Sequence, residues 1–211
     1  MRILSVSADH YGSHRNYLNQ MHHLRASVFG KRLEWDVVLT SAGERDQYDD
    51  LRPTYILAIA FDRKVVGCAR LLPASGPTML ERTFPQLLAN GLGAHAAMIE
   101  SSRFCVDTSL PAGRGGGQLH LATLTMFAGI IEWSIVNGFR EIVTATDLRF
   151  ERILKRAGWP MRRLGSPVSI GDTVAVGGVL PADPTSFDRV CPPGYDPITT
   201  NGAGNRIRSA A

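Results

Sequence analysis

Three carboxylates fall within six residues of this 211-residue chain, in the segment Glu44-Arg45-Asp46-Gln47-Tyr48-Asp49. Carboxylates can accept a proton or bind a cation, arginines bind carboxylates, and aromatic faces bind cations. Taken alone, the segment is typical of a solvated loop. The residues on both sides of the segment favour a functional site, because they include further arginines, aromatic residues and a carboxylate. These residues are Arg25, Phe29, Trp35, Arg70 and Glu100-Ser101-Ser102-Arg103-Phe104.

The order and spacing of these residues resemble the acyl-homoserine-lactone synthases, the LuxI-type autoinducer synthase family. That family pattern is Arg, Phe, Trp, Glu-x-Asp-x-x-Asp, an Arg in the second strand of a hairpin, a Phe, and Glu-Ser-Ser-Arg-Phe. The matching residues here are Arg25, Phe29, Trp35, Glu44, Asp46, Asp49, Arg70, Phe84, Glu100, Ser101, Ser102, Arg103 and Phe104. The resemblance covers nearly the whole chain and is strongest to the TraI-type synthases.

The resemblance implies an acyltransferase that uses S-adenosylmethionine as co-substrate, without a bound cofactor, and an acyl carrier protein as acyl donor. The acyl group, expected to be 3-oxo and about eight carbons long, passes to the amine of S-adenosylmethionine. Lactone closure then releases methylthioadenosine, and the product is a quorum-sensing signal. The resemblance also implies a GCN5-type N-acetyltransferase-like fold, an α/β architecture in which an α-β-α sandwich encloses a mixed central sheet.

The substrate's charges suggest roles for the matched residues. Glu100 is the favoured general base, directly or through water, and Asp46 is the second candidate. Aromatic faces suit the sulfonium, carboxylates suit the ammonium and the ribose hydroxyls, and an arginine suits the carboxylate. Backbone N–H groups near Ser102 could stabilise the oxyanion. The predicted substrate-binding residues are Arg25, Phe29, Trp35, Asp49, Arg70, Phe84, Ser102, Arg103, Phe104 and Thr144.

Side chains of a strand alternate between its two faces, so a regular strand would place Glu100 and Ser102 on one face and Arg103 on the other. A bulge near Ser101–Ser102 is needed to bring all three into one site. The resemblance implies such a bulge, which splays two parallel strands and admits the thioester arm. Arg103 is then catalytic, or it is architectural and holds the acidic loop by ion pairs.

Thr144 follows the long apolar helix on the next strand. By resemblance, a Thr here hydrogen-bonds the 3-oxo group, although a Thr is also an ordinary strand former. The acyl pocket is expected between the buried helix, with Leu124, Met126 or Phe127 as candidates, and the strand containing Val143.

A basic patch is predicted on the following helix. Arg149, Arg152 and Arg156 share one side of that helix. Because acyl carrier protein is acidic, this face could dock it; the alternative is a solvated helix surface. The predicted carrier-protein-binding residues are Arg149, Arg152, Lys155 and Arg156, with Arg162 and Arg163 beyond.

The elements that position these residues follow from the apolar pattern. We expect helices over 13–29, 84–89, 118–137 and 147–158, and strands over 2–7, 55–61, 65–72, 97–106, 141–146, 161–163 and 173–179. Residues 30–53 are expected to be irregular. The organisation predicted is one domain over 1–182, followed by a partly irregular, loosely ordered C-terminal tail over 183–211.

Composition excludes several classes. The chain has 23 basic and 19 acidic residues, a net charge of +4, and no basic run interleaved with aromatics, which disfavours nucleic-acid binding. Three distant cysteines and scattered histidines predict neither a disulfide framework nor a metal site. The first residues are too short an apolar run for a signal peptide, and 119–136 suits a buried helix better than a membrane span. A cytoplasmic protein without membrane partners is expected.

Two other functions remain open. The first is an acetyl-CoA-dependent N-acetyltransferase of the same architecture, for which the glycine-rich stretch 111–118 matches a pyrophosphate loop only in part. The second is a non-catalytic ligand sensor. The intact set Asp46, Asp49, Glu100 and Arg103 disfavours the sensor.

Overall fold

The computed structural model describes residues 1–33, 37–109 and 119–200. The predictions for Trp35, for the glycine-rich stretch 111–118 and for the tail from residue 201 lie outside the described residues.

The described chain alternates strands and helices. The strands are β1 (Arg2–Val6), β2 (Leu39–Thr40), β3 (Gly43–Glu44), β4 (Thr54–Ile59), β5 (Val65–Pro73), β6 (Met98–Val106), β7 (Glu141–Asp147), β8 (Arg162–Arg163), β9 (Val168–Ile170), β10 (Thr173–Pro181) and β11 (Thr199–Thr200). The helices are α1 (Arg15–Arg25), α2 (Met79–Arg82), α3 (Leu121–Val136), α4 (Leu148–Arg156) and α5 (Pro184–Val190). A π-helical segment at Ala26–Arg32 continues α1, and 3-10 turns occupy Ala8–His10, Gln47–Leu51 and Pro85–Leu87.

The main sheet has the strand order β11-β1-β4-β5-β6-β7-β10-β8, with β9 also paired to β10. Its pairs are antiparallel except β1–β11 and β6–β7. The large core lies on one face, where α3 packs with Leu154 and Trp159 near α4 and Val190 of α5. On the other face, α1 and the π-helical segment cover one half of the sheet and α2 covers the other. This arrangement confirms the predicted α-β-α sandwich with a mixed sheet.

Strands β6 and β7 pair only at their beginnings. Their register runs from Met98 opposite Glu141 to Glu100 opposite Val143, and both strands then continue without pairing to each other. A bulge lies just beyond this point, because Cys68 opposes Cys105 whereas Arg70 opposes Ser102. Two residues, Arg103 and Phe104, therefore face one residue of β5. The predicted bulge and splayed parallel strands are confirmed, with the bulge slightly later than expected.

Local signals explain several boundaries. Asp147 accepts a hydrogen bond from the N–H of Phe150 at 2.6 Å and begins α4, as predicted. Helix α3 ends at Val136, ahead of Gly138, whose φ of +80° suits a C-cap glycine. Within the described ranges, α3 is the longest helix with 16 residues, and none of the helices is long and apolar enough to cross a membrane.

Other elements differ from the prediction. The region expected to be irregular contains β2, β3 and a 3-10 turn. The helix expected at 84–89 is only a 3-10 turn at Pro85–Leu87, and the short α2 lies ahead of it. The prediction of a loosely ordered tail is wrong for its first part. Asp183 caps α5 by accepting from the N–H of Ser186 at 2.7 Å. Further on, the buried Glu132 accepts from the hydroxyl of Tyr195 at 2.7 Å.

Candidate active site

Arg25 lies at the end of α1 and is completely buried. Its two terminal nitrogens donate to the two oxygens of Asp49, each at 2.8 Å, and its Nε donates to Glu44. All three nitrogens of this guanidinium thus contact carboxylates of the acidic segment, through three of its five N–H donors. The contacts therefore favour an architectural role for Arg25, which ties α1 to the acidic segment.

The acidic segment folds around a capping box. Asp46 Oδ1 accepts from the N–H of Tyr48 at 2.9 Å, and Asp49 Oδ2 accepts from the N–H of Asp46 at 2.9 Å. Each aspartate thus accepts a hydrogen bond from a backbone N–H group at the start of the 3-10 turn that would otherwise have no partner. The Asp-x-x-Asp spacing thus turns both carboxylates toward the sheet rather than toward solvent.

Asp49 is the centre of the network. Besides Arg25, it accepts from the hydroxyl of Tyr55 at 2.8 Å and lies 3.2 Å from Nη1 of Arg70. Burial alone would raise the pKa of Asp49, but the hydrogen bonds and charge of Arg25, with the charge of Arg70, hold that pKa well below its ordinary value. Asp49 is therefore an anion throughout the neutral range and a poor candidate for a proton acceptor.

Arg70 projects from β5 and is completely buried. Its Nε donates to the hydroxyl of Ser102 at 3.1 Å, its Nη1 donates to Asp46, and its guanidinium lies over the ring of Tyr48, 5.4 Å from the centroid. Its Nη2 is buried and has no hydrogen-bond partner among the described residues. An unsatisfied buried donor is costly unless a ligand completes it, so Arg70 is positioned to bind an anionic group.

Arg103 occupies the bulge with a φ of +52°. This left-handed conformation, which costs a non-glycine residue about 1–2 kcal/mol, turns its side chain onto the face that carries Glu100 and Ser102. Its Nε donates to Glu44 at 3.0 Å, and its Nη2 lies 2.8 Å from Asp46. These ion pairs match the architectural alternative for Arg103, because they hold the acidic segment against the sheet.

Glu100 lies almost fully buried on β6. One oxygen accepts from the N–H of Leu80 at 2.6 Å and the other from the N–H of Met79 at 3.0 Å, so Glu100 also holds the start of α2. Burial raises the pKa of Glu100, although these two hydrogen bonds and the charge of Arg70 partly offset the effect. A carboxylate with a raised pKa suits a general base working near neutral pH.

The predicted aromatic residues divide between the two faces of the sheet. Phe29 is buried beside the acidic cluster, with the guanidinium of Arg103 5.6 Å from its ring centroid. Phe84 is half-buried and packs near Tyr48. Phe104 lies on the α3 face, with ring centroids 5.3 Å from Phe127 and 4.9 Å from Phe150. The structure therefore brings Phe29 and Phe84 near the charged cluster and separates Phe104 from it.

Thr144 shares the α3 face with Ile142, whereas Val143 packs on the opposite face with residues near α2. The strand predicted to line the pocket therefore faces α3 through Ile142 and Thr144 rather than through Val143, because successive residues of a strand alternate between faces. Met126 packs close to Gly67 of β5, away from β7. Of the three α3 candidates, Phe127 has ring contacts at the place where β6 and β7 part.

Several residues of the site carry no signal in the sequence pattern. Tyr55 donates to Asp49, and His22 makes a 2.9 Å hydrogen bond through Nδ1 to the carbonyl of Glu44. The Met79 Sδ lies 3.4 Å from Arg103 Nη1. Tyr55, His22 and Met79 belong to elements whose approach depends on the tertiary fold. Tyr48 differs from them, because it lies inside the acidic segment and so had a local cue in the sequence.

The basic patch on α4 is present. Arg149, Arg152, Lys155 and Arg156 are all exposed. The acidic Glu151 beside them is paired with Arg163 through two contacts of 2.7 Å, which lower its pKa. The local acid is therefore neutralised, and the face is positive overall. It begins where β7 ends, next to the splayed strands.

The site thus combines a charged cluster with an opening in the sheet. Buried, charge-balanced arginines and carboxylates can orient a zwitterion, and an opening between two parallel strands gives access from the opposite face of the sheet. Preorganised charges of this kind lose little energy to reorganisation when a substrate reacts.

Comparison with known proteins agrees with this geometry. The autoinducer synthase family model matches residues 9–190. An acyl-homoserine-lactone synthase of Rhizobium radiobacter is 71% identical over 212 residues, covering 100% of this chain and 100% of that protein.

Solved structures show the same fold. BjaI, a CoA-dependent acyl-homoserine lactone synthase solved with SAM and isopentyl-CoA, superposes with a TM-score of 0.83 at 23% identity, covering 97% of this chain and 95% of that one. A putative N-acetyltransferase from Lactobacillus plantarum has a TM-score of 0.55 at 17% identity, covering 87% and 100%. The chain therefore belongs to the autoinducer synthase family, and it is an acyl-homoserine-lactone synthase, an acyltransferase built on the GCN5-type N-acetyltransferase-like fold.

Proposed function

We propose that this synthase binds S-adenosylmethionine by its amino-acid end at Arg70 and Asp46, and that it takes a 3-oxo acyl group of about eight carbons from an acyl carrier protein. The observation that carries the first part is the buried Nη2 of Arg70, which has no hydrogen-bond partner within the part of the chain that the structure describes. A substrate carboxylate would satisfy this donor, while Asp46, whose side chain is 14% exposed, offers a carboxylate to the ammonium.

The reaction needs one protein group that accepts a proton. The substrate ammonium gives one proton to this group, and the neutral amine nitrogen then forms a bond to the thioester carbon. The carbon–sulfur bond breaks, and the second proton of the attacking nitrogen passes to the leaving sulfur, which departs as the carrier thiol. Glu100 takes the proton, directly or through water, because burial raises its pKa toward the working range. Asp46 is the second candidate. Lactone closure follows when the product carboxylate attacks its own γ-carbon and expels methylthioadenosine, a step that needs mainly a folded-back conformer.

The carrier protein docks on the exposed face of α4. Carrier proteins are acidic, and the four basic side chains of this face surround a single glutamate that Arg163 already neutralises. Charge complementarity of this kind mainly speeds encounter and orients the partner. Because α4 starts at the end of β7, a thioester arm from a docked carrier would reach the opening between β6 and β7.

A CoA thioester is the second candidate donor. It is favoured by the fold relatives BjaI and MesI, both described as CoA-dependent synthases. The two donors differ in size: a carrier protein covers a wide surface, whereas CoA is a small molecule that needs no face of several arginines.

The deciding experiment compares 3-oxo-octanoyl carrier protein with 3-oxo-octanoyl-CoA as donors for the wild-type enzyme and for Arg152→Glu/Arg156→Glu. We expect the carrier to be the better donor and the double reversal to raise its KM about tenfold, with the KM for S-adenosylmethionine unchanged. The matched control is Arg2→Glu/Arg63→Glu, which reverses two exposed arginines away from α4 and should change neither constant. A preference for the CoA thioester, together with unchanged carrier kinetics in the α4 variant, contradicts the carrier proposal.

A further inference from the structure

The surroundings of Thr144 reveal a gap in the sheet's side-chain layer. On one side of β7, strand β6 has already parted from it. On the other side, Gly178 of β10 lies directly opposite Thr144. Directly opposed residues of antiparallel strands project to the same face. The register therefore places an empty side-chain position beside Thr144 on the α3 face.

Met161 fills this position. A methyl group added to Gly178 would overlap the Met161 side chain, with only 2.9 Å to its Cε. Met161 is half-buried and packs against the core on the α3 face, which agrees with the face assigned from the strand register. It precedes β8, in the connection that follows α4. The thioether of Met161 thus lies next to Thr144 on the side of β7 that pairs with β10.

The other side of the opening is closed differently. The ring of Phe104 packs against Phe127 and Phe150. Aromatic rings packed in this way are stiff, whereas methionine is unbranched and fills irregular gaps by changing rotamer. Of the side chains around Thr144, Met161 is therefore the one whose size and rotamer can most easily set the available space.

We propose that Met161 is a specificity-determining residue that forms the end wall of the acyl pocket and limits the length of the acyl chain. The inference rests on the proposed function, in which the acyl group enters between β6 and β7 and reaches Thr144. Beyond Thr144, the chain meets the thioether seated over Gly178. Shortening this side chain opens space for further methylenes, and a larger, stiffer side chain removes it.

The test is a competition assay on the full-length enzyme. Equimolar 3-oxo-hexanoyl, -octanoyl, -decanoyl and -dodecanoyl carrier proteins are supplied with S-adenosylmethionine, and the lactones are quantified by mass spectrometry. Since each methylene in an apolar pocket changes discrimination by about 10-fold or more, we expect Met161→Ala to raise the dodecanoyl-to-octanoyl product ratio about tenfold. Met161→Phe should shift the profile toward the hexanoyl product, which gives a second readout if the alanine variant folds poorly.

The control variant is Leu164→Ala. Leu164 is a half-buried apolar residue three positions later that packs on the opposite face of the sheet, so its truncation should leave the product ratio unchanged. A profile for both Met161 variants within twofold of wild type, or an equal shift in Leu164→Ala, overturns the inference while the enzyme still makes lactone. A wild-type enzyme that makes no lactone overturns the proposed function instead.

Discussion

Replacing Arg25 with alanine should destabilise the protein more than any exposed charge substitution does. The change removes a fully buried guanidinium and leaves two buried carboxylates, Glu44 and Asp49, without their main partner. Removing one partner of a buried ion pair costs about 3–5 kcal/mol. Glu44 keeps its contact with Arg103, and Asp49 keeps those with Arg70 and Tyr55, so the lower end of that range is expected.

The expected loss is therefore about 3 kcal/mol in the free energy of unfolding, or a Tm lower by roughly 6–12 °C for a chain of this size. Equilibrium unfolding in urea, followed by circular dichroism, measures the first quantity, and calorimetry measures the second. The matched control is Arg45→Ala, which breaks a 3.1 Å pair with Asp50 whose side chains are 51% and 77% exposed. Exposed pairs contribute about 0–1 kcal/mol. If Arg25→Ala loses no more stability than Arg45→Ala, the buried network does not hold the acidic segment.

Three further predictions concern protonation and substrate choice. Glu100→Gln should lower kcat by about 100-fold or more, with the loss shrinking at higher pH and the KM for S-adenosylmethionine less affected; a wild-type rate removes Glu100 from the chemistry. Because the folded-state pKa of Asp49 lies below its unfolded value of about 3.9, its contribution to stability is present above about pH 4 and is lost as the pH falls. Asp49→Asn should accordingly lose less stability than wild type between about pH 5 and pH 2, and parallel pH–stability curves from urea titrations would argue against this role. Thr144→Val should lower the preference for 3-oxo over unsubstituted octanoyl carrier protein in a competition assay, and an unchanged ratio leaves Thr144 as a strand former only.

The sequence motif predicted several residues that the structure brings together around the acidic segment, but not how they pair. The spacing of Asp46 and Asp49 matches a capping box, which is a local interaction and can be predicted from neighbours in the chain. Which arginine meets which carboxylate depends on how α1, β5 and β6 approach one another. Arg25 was predicted to bind substrate, and in the structure all three of its nitrogens contact Glu44 or Asp49, whereas Nη2 of Arg70 has no hydrogen-bond partner among the described residues.

The fold likewise divides into elements that local sequence signals predict and features that depend on tertiary contacts. Helices α3 and α4 were predicted because apolar periodicity and end signals coincide, as at Asp147. Helix α5 was missed although Asp183 followed by Pro184 is a start signal, since the segment is short and polar outside its contacts with α3. The bulge at Arg103 followed from the need to place Glu100 and Arg103 in one site. Its exact position depends on the β5–β6 register, which is a tertiary property.

The most direct test of the central claim is the product balance. The purified protein is incubated with S-adenosylmethionine and 3-oxo-octanoyl carrier protein, and lactone and methylthioadenosine are followed together by mass spectrometry. We expect both products to accumulate in equal amounts and only when both substrates are present. Acetyl transfer from acetyl-CoA without lactone, or turnover of neither substrate, would contradict it.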